Sequence, residues 1–253
     1  GSNVLDSLTG GHAADVAGAT GVFELFVGQG GNDTIDGGGG FDRVDYTSST
    51  TGASVTLGGS SNGTASDGLG GTDTLINIEA VRGSEFNDTL TGSDTGTFES
   101  FEGRGGNDTI DGKGGTDRVD YSSATAGVSV NLGTGSASDG YGGTDTLVNI
   151  EQIRGSAFND ILTGNTGNND IQGQAGHDTL SGGDGNDSLD GNAGADSLIG
   201  GNGNDYLRAA DGANDTLDGG ADSDVANYTF SGTAPVTFIA TGATGTQLDG
   251  LGG

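Results

Sequence analysis

"GDGNDSLDGNAGADSLIGGNGNDYL", residues 183–207, repeats itself nearly to the letter every nine residues. Asp187, Asp196 and Asp205 each follow a glycine-rich approach and stand two residues before a leucine: Leu189, Leu198, Leu207. Glycine reaches the positive φ that tight turns need. Ser188-Leu189-Asp190 reads polar, apolar, polar, the pattern of a half-buried strand. Nine residues therefore predict one turn and one short strand, half a coil, and eighteen predict a full coil. Residues eighteen apart then stack about 4.8 Å apart as parallel strands. Leu180, Leu189, Leu198 and Leu207 form a thin core from alternate walls. The fold class read from this period is all-β, a parallel β-solenoid.

The same geometry stacks the aspartates, Asp178 over Asp196 and Asp187 over Asp205. Two carboxylates about 5 Å apart repel by roughly 3 kcal/mol at an effective dielectric of 20. A hard divalent cation between successive turns reverses that sign. Ca²⁺ takes six to eight oxygens, which carboxylates and turn carbonyls supply flexibly, whereas Mg²⁺ demands stricter geometry. No His or Cys cluster suggests zinc. The period thus spaces ligands for a ladder of calcium ions.

Composition agrees. Glycine fills 56 of 253 positions with one proline, and there is no collagen-like period. Trp, Met and Cys are absent, and 36 acidic against 7 basic side chains leave a formal charge of −29. Such a chain repels nucleic acid, whose phosphates need Lys and Arg. No run of 18 apolar residues exists for membrane insertion. Without the period this composition would read as disordered, and disulfides cannot staple it. What holds the fold must come from outside the chain.

Longer repeats enclose the nine-residue one. "GGNDTIDGGGGFDRVDYTSS" (30–49) recurs as "GGNDTIDGKGGTDRVDYSSA" (105–124), and "GGTDTLINIEAVRGSEFNDTLTG" (70–92) as "GGTDTLVNIEQIRGSAFNDILTG" (142–164). A drifted third copy runs through "ANDTLDGGADSDVANYTFSG" (213–232), and the closing "DGLGG" (249–253) matches 67–71. Three units follow, 1–87, 88–159 and 160–253. The last stops in mid-unit, as a cut from a longer array would, and Gly1-Ser2 reads as a tag-cleavage remnant. The acid slot holds Glu24, Asp33 and Asp42 in the first unit and Glu99, Asp108 and Asp117 in the second. In the third it holds Asp160, Asn169, Asp178, Asp187, Asp196 and Asp205, then, after one extra residue, Asp215 and Asp224.

"GGDGNDSLD" (182–190) and "GGNGNDYLR" (200–208) fit G-G-x-G-x-D-x-U-x, and the run resembles the RTX (hemolysin-type) calcium-binding nonapeptide repeat family. The resemblance is strongest over 173–208, good over 28–45, 103–120 and 213–227, and weaker over 68–91 and 140–163. It implies a parallel β-roll with calcium in its turns. It also implies a protein exported unfolded by a Gram-negative bacterium through a one-step channel, hence secreted or on the cell surface. The implied ligands are the carboxylates of Asp33, Asp42, Asp108, Asp117, Asp160, Asp178, Asp187, Asp196, Asp205, Asp215 and Asp224, with Asn169 in one acid slot. Turn carbonyls come from Gly173, Ala175, Gly182, Gly183, Asp184 and Gly185, from Gly191, Asn192 and Ala193, and from Gly200, Gly201, Asn202 and Gly203. A site needs two turns eighteen residues apart, so residues 160–224 offer about six cations, with a few more in the earlier units. The pairs are Asp160/Asp178, Asn169/Asp187, Asp178/Asp196, Asp187/Asp205, Asp196/Asp215 and Asp205/Asp224, with Glu24/Asp42 and Glu99/Asp117 earlier. Asp222 stands where a turn glycine belongs, which puts the backbone of that half-site in question.

Between the nonapeptide runs, "GASVTLGG" (52–59), "AGVSVNLG" (126–133) and "APVTFIATG" (234–242) alternate like half-buried strands. "TLINIEAVRG" (74–83) and "TLVNIEQIRG" (146–155) are rich in β-branched residues and also read as strands. They are either wider coils of the same solenoid or a small β-element beside it. Tyr46, Tyr121 and Tyr228 follow the second nonapeptide of each unit and are expected to cap the core. Arg43, Arg82, Arg118 and Arg154 are expected to pair with neighbouring carboxylates such as Asp45 or Glu79. His12 is isolated, and His177 takes a turn slot usually held by Asn.

Two functions of different class fit. One is a calcium-stiffened structural or adhesive module, with polysaccharide or cell-surface partners. The other is the calcium-dependent region of a secreted enzyme such as a protease, lipase or alginate epimerase. No H-E-x-x-H, G-x-S-x-G or helix-period segment is present, so no catalytic activity is expected in these residues. An Asp-Pro self-cleaving module is excluded, because the single proline, Pro235, follows Ala234.

Overall fold

The computed structural model describes residues 7–9, 23–28, 30–209, 213–227, 237–239 and 246–247. Tyr228, His12, both chain ends and most of 234–242 lie outside these residues. Every described element is a strand, and most are three residues long. A short strand with its middle residue turned inward is what polar–apolar–polar triplets between glycine turns dictate.

The chain forms two compact units. The second comprises 120–141 and 151–253 and carries the uninterrupted nonapeptides. Strands Gln152–Arg154, Asp170–Gln172, Ser188–Asp190, Tyr206–Arg208 and Val225–Asn227 pair in sequence in one sheet. Ile161–Thr163, Thr179–Asp184, Ser197–Asn202 and Thr216–Ala221 pair in the other. Successive strands alternate between the sheets and all these pairings are parallel, which is a β-roll. Leu162 faces Leu180 and Leu180 faces Leu198, while Ile171 faces Leu189 and Leu189 faces Leu207. All six are fully buried. Leu217 then pairs with Leu198 and Ala226 with Leu207, so the extra residue near 210 shifts the spacing from eighteen to nineteen without breaking the pairing. Each buried leucine contributes about 1.5–3 kcal/mol. One apolar side chain per nine residues is a thin core for so much ordered backbone.

The first unit comprises 1–119 and 142–150. Its core joins Ile35, Leu75, Val55, Leu90 and Ile110 from one sheet with Val44, Val81, Phe101 and Val119 from the other. Here the chain does more than widen its coils. Ser54–Thr56 and Gly63–Ser66 form an antiparallel hairpin, and Gly63–Ser66 runs antiparallel to Thr72–Ile76. The hairpin is built into the first sheet, between strands that otherwise pair in parallel. Its turn holds Gly58 and Gly59, the latter at φ +55°, and a Cβ at Gly58 would overlap the Ser61 carbonyl. In the second unit Ser129–Asn131 and Ser136–Ser138 form the matching antiparallel pair. The expected strands in 52–59, 74–83, 126–133 and 146–155 are present, and the reversals are the addition.

Tyr46 and Tyr121 are buried, each 2 % exposed. The Tyr46 hydroxyl also reaches Asp73 Oδ2 at 3.4 Å. Arg82 bridges Asp45 (3.5 Å) and Glu102 (2.6 Å), and Arg154 pairs with Asp120 (3.5 Å). Arg118 donates to Ser100 Oγ and lies over the Phe98 ring. Glu79 takes a different partner, accepting from the Asp42 N–H.

Candidate metal centre

The turns fix the site. In the 182–185 and 200–203 turns the glycines at the second and fourth positions are left-handed: Gly183 +113°, Gly185 +113°, Gly201 +119°, Gly203 +124°. On the opposite edge the same positions are Gln174 (+79°), Gly176 (+136°), Asn192 (+63°) and Gly194 (+141°). Asp222 adopts φ +75° at its fourth position, so the backbone expected of glycine is kept. Aspartate and asparagine tolerate this region better than most side chains. The first glycine serves another purpose. A Cβ at Gly173, Gly182, Gly191 or Gly200 would collide with Oδ2 of Asp178, Asp187, Asp196 or Asp205. Each aspartate therefore folds back over the glycine that opens its own turn.

Third positions differ between the edges. Ala175 and Ala193 form an isolated parallel bridge. Asp184 and Asn202 pair as strand residues, with Asn202 Nδ2 donating to Asp184 Oδ1 at 2.7 Å.

One carboxylate oxygen ties the coils together. Along one edge the N–H groups of Asp160, Asp178 and Asp196 donate to Oδ1 of Asp178, Asp196 and Asp215, each at 2.9 Å. Along the other, the N–H groups of Asn169, Asp187 and Asp205 donate to Oδ1 of Asp187, Asp205 and Asp224 at 2.8, 2.9 and 3.0 Å. All six expected pairs are thus neighbours. Glu24 N–H likewise donates to Asp42 Oδ1 (2.9 Å) and Glu99 N–H to Asp117 Oδ1 (3.0 Å).

The other oxygen is where a cation is called for. Oδ2 of Asp178, Asp187 and Asp205 is buried with no hydrogen-bond donor. Such an atom carries its desolvation cost uncompensated. Burial, and then the Asp160 carboxylate, pushes Asp178 up to about 6. Burial, and then Asp187, Asp224 and Asp222, does the same to Asp205. Asp187 is raised by burial and by Asp184. The donor set is oxygen only, and among the described residues no group of three or more His, Asp or Glu side chains converges. A bound cation here would take its remaining oxygens from turn carbonyls, as a flexible, oxygen-seeking Ca²⁺ does. The residues fit calcium.

Asp160 and Asn169 occupy the ladder with their side chains already engaged. Asp160 accepts from Ser156 N–H (2.6 Å), Ser156 Oγ (2.7 Å) and Val128 N–H (2.8 Å). Asn169 accepts from Asn165 N–H (2.8 Å), and its Nδ2 donates to the Glu151 carbonyl (3.1 Å). In the first unit Asp88 is served in the same way by Ser84 and Ala53.

Sequence reasoning passed over Asp67 and Asp73. The Asp33 N–H donates to Asp73 Oδ1 (3.1 Å), and the Asp108 N–H to Asp145 Oδ1 (3.1 Å), so both acids have hairpin-strand partners about forty residues on. Asp67 Oδ1 accepts from the N–H groups of Leu69, Gly70 and Gly71, and its Oδ2 is buried without a donor. Burial, and then Asp67 and Asp33, pushes Asp73 up to about 6. The Asp-x-Leu of "GGTDTL" was the available signal. A second ladder runs one residue before each aspartate. Asn186 and Asn204 N–H donate to the side-chain oxygens of Asn168 and Asn186, both at 2.8 Å. His177 stands in for asparagine, accepting the Ala195 N–H through Nδ1 at 2.9 Å.

No curated protein matches the chain. The RTX calcium-binding nonapeptide repeat matches at 25–45, 95–123, 150–180, 172–207, 181–214 and 190–226, which together make up half of it. Those matches cover the turns in which glycine makes room for a back-folded aspartate and Oδ1 carries the coil-to-coil hydrogen bond. On that combined ground the chain belongs to the RTX calcium-binding nonapeptide repeat family.

Proposed function

We propose that this chain is a calcium-dependent structural module of a protein secreted by a Gram-negative bacterium, ordered by calcium outside the cell and acting as a spacer or adhesive element. The observation that carries the reading is the stack of buried, donor-less Oδ2 atoms at Asp178, Asp187 and Asp205. Cation ligands are assigned to the carboxylates of Asp178, Asp187, Asp196, Asp205, Asp215 and Asp224. The carbonyls of the 173–176, 182–185, 191–194 and 200–203 turns complete them. Asp33, Asp42, Asp108 and Asp117 serve the shorter runs of the first unit, and Asp160 and Asn169 close the long run with protein donors. Low calcium in the cytosol would keep the acidic chain open for export, and the millimolar calcium typical of extracellular modules would close it. Isothermal titration of the decalcified chain tests this. Uptake of several calcium ions with a folding-sized heat supports the module, and absence of uptake at millimolar calcium rejects it.

A further inference from the structure

The hairpin of the first unit brings in a carboxylate that belongs to no acid slot. Strand Gly63–Ser66 alternates buried and exposed residues, and Asp67 follows in the next inward place, fully buried. Its Oδ1 accepts the N–H groups of Leu69, Gly70 and Gly71 at 2.8, 3.1 and 3.2 Å, and the Ser49 hydroxyl donates to its carbonyl. Oδ2 is left buried with no donor, which carries a desolvation cost. Asparagine would serve the three N–H groups of this turn equally well. What aspartate adds is a second acceptor oxygen. Nor does that oxygen belong to the coil-to-coil ladder, where each aspartate accepts an N–H from a neighbouring coil.

The surroundings of Asp67 are acidic and buried. Among the carboxylates acting on Asp73, Asp67 acts most strongly, ahead of Asp33. Burial, and then Asp73, Asp67 and Asp33, pushes the Tyr46 hydroxyl well above its ordinary value, so it keeps its proton. That proton is directed at Asp73 Oδ2, 3.4 Å away, and not at Asp67. Among the described residues no ion pair reaches Asp67 or Asp73, and Arg43 and Arg82 serve Asp45 and Glu102 instead. Glycine keeps the approach open: a Cβ at Gly28 would stand 3.1 Å from Asp73 Oδ2 and 3.3 Å from Asp33 Oδ2. The hairpin thus sets a donor-less oxygen beside a second buried carboxylate, with no positive charge supplied by the chain.

We propose that Asp67 Oδ2 and Asp73 Oδ2 hold a calcium ion of their own at the hairpin, additional to the ions between nonapeptide turns. Among the described residues no three acidic side chains converge, so two carboxylates share the ion, and backbone carbonyls and water complete its shell. The inference rests on the calcium-dependent reading of the chain. Its test counts calcium ions on the full chain by calorimetric titration, with circular dichroism showing that the protein is folded in calcium. Asp67→Asn keeps Oδ1 for the three N–H groups and is expected to fold and to bind one ion fewer than the wild type. Terbium gives a second reading. The chain has no tryptophan, so tyrosine sensitises the emission, and a lanthanide on Asp73 would lie against Tyr46. Tyr46→Phe should lose a step of the sensitised emission, and Asp67→Asn should lose the same step. An equal ion count in Asp67→Asn and the wild type overturns the proposal and leaves the calcium module standing. Emission that falls in Tyr46→Phe but survives in full in Asp67→Asn does the same. If Asp67→Asn does not fold in calcium, Tyr46→Phe decides: a lost step supports the site and unchanged emission overturns it. No calcium uptake by the wild type overturns both the site and the module.

Discussion

The backbone N–H of Asp187 donates to Oδ1 of Asp205, 2.9 Å away and one coil on, while Oδ2 of Asp205 lies buried with no donor. The two oxygens of one carboxylate thus do different things. One belongs to the protein's own ladder and the other faces a deficit that a cation fills.

Substitutions at Asp187 separate these roles. Asp187→Asn keeps an oxygen for the Asn169 N–H but neutralises the second oxygen, so it should raise the calcium midpoint while the coil pairing survives. Asp187→Ala removes both, and leaving a buried N–H unpaired adds about 1–3 kcal/mol of destabilisation. Calcium titrations followed by circular dichroism should rank the wild type first, then Asn, then Ala. Asp33→Ala, in a short run, should disturb folding less than Asp187→Ala. The reverse order would refute the concentration of binding energy between 160 and 224.

At Asn169 an amide donates to the Glu151 carbonyl. Asn169→Asp replaces that donor with a carboxylate facing the same carbonyl. The variant should bind an additional calcium and be less stable than the wild type when calcium is scarce. Unchanged stoichiometry in a calorimetric titration would show that the amide is not standing in for a cation.

Gly182 has no positive φ, yet a Cβ there meets Asp187 Oδ2. Gly182→Ala should therefore cost about 1–3 kcal/mol through overpacking. Gly96→Ala, where a Cβ meets nothing within 4 Å, should stay within about 0.5 kcal/mol of wild type. Thermal unfolding in excess calcium measures both, and equal stabilities would mean the turn can move its carboxylate aside.

Acidity should act in opposite directions with and without calcium. Asp178 and Asp205 are raised to about 6 in the fold, above the usual value near 4. Their protonation stabilises the calcium-free roll fully below about pH 4, and that contribution is lost as pH rises through about 6. Calcium needs the same groups ionised, so its folding midpoint should climb as pH falls below about 6. Circular dichroism across pH 4–8, in chelator and in calcium, should show both trends. A calcium midpoint that does not change over that range would exclude these carboxylates as ligands.

The roll and the aspartate stacking were legible because they depend on period alone: Leu189 and Asp187 recur with their turns at a fixed interval. The hairpins were not, because Gly63–Ser66 holds just one apolar inward residue, Ala65, and gives no strand pattern strong enough to read. The split use of the carboxylate was also hidden. A sequence shows that Asp187 and Asp205 are eighteen apart, but not which oxygen accepts the N–H. His177 looked like an idle turn residue because its Nδ1 replaces an asparagine oxygen only once the coils are stacked.

Calcium dependence of the fold itself is tested most directly by far-ultraviolet circular dichroism of the full chain at neutral pH, first in excess chelator and then in millimolar calcium or magnesium. The expected result is a largely unstructured spectrum in chelator, strong β signal on adding calcium, and far weaker ordering by magnesium at the same concentration. A full β spectrum in chelator, or equal potency of the two cations, would contradict it.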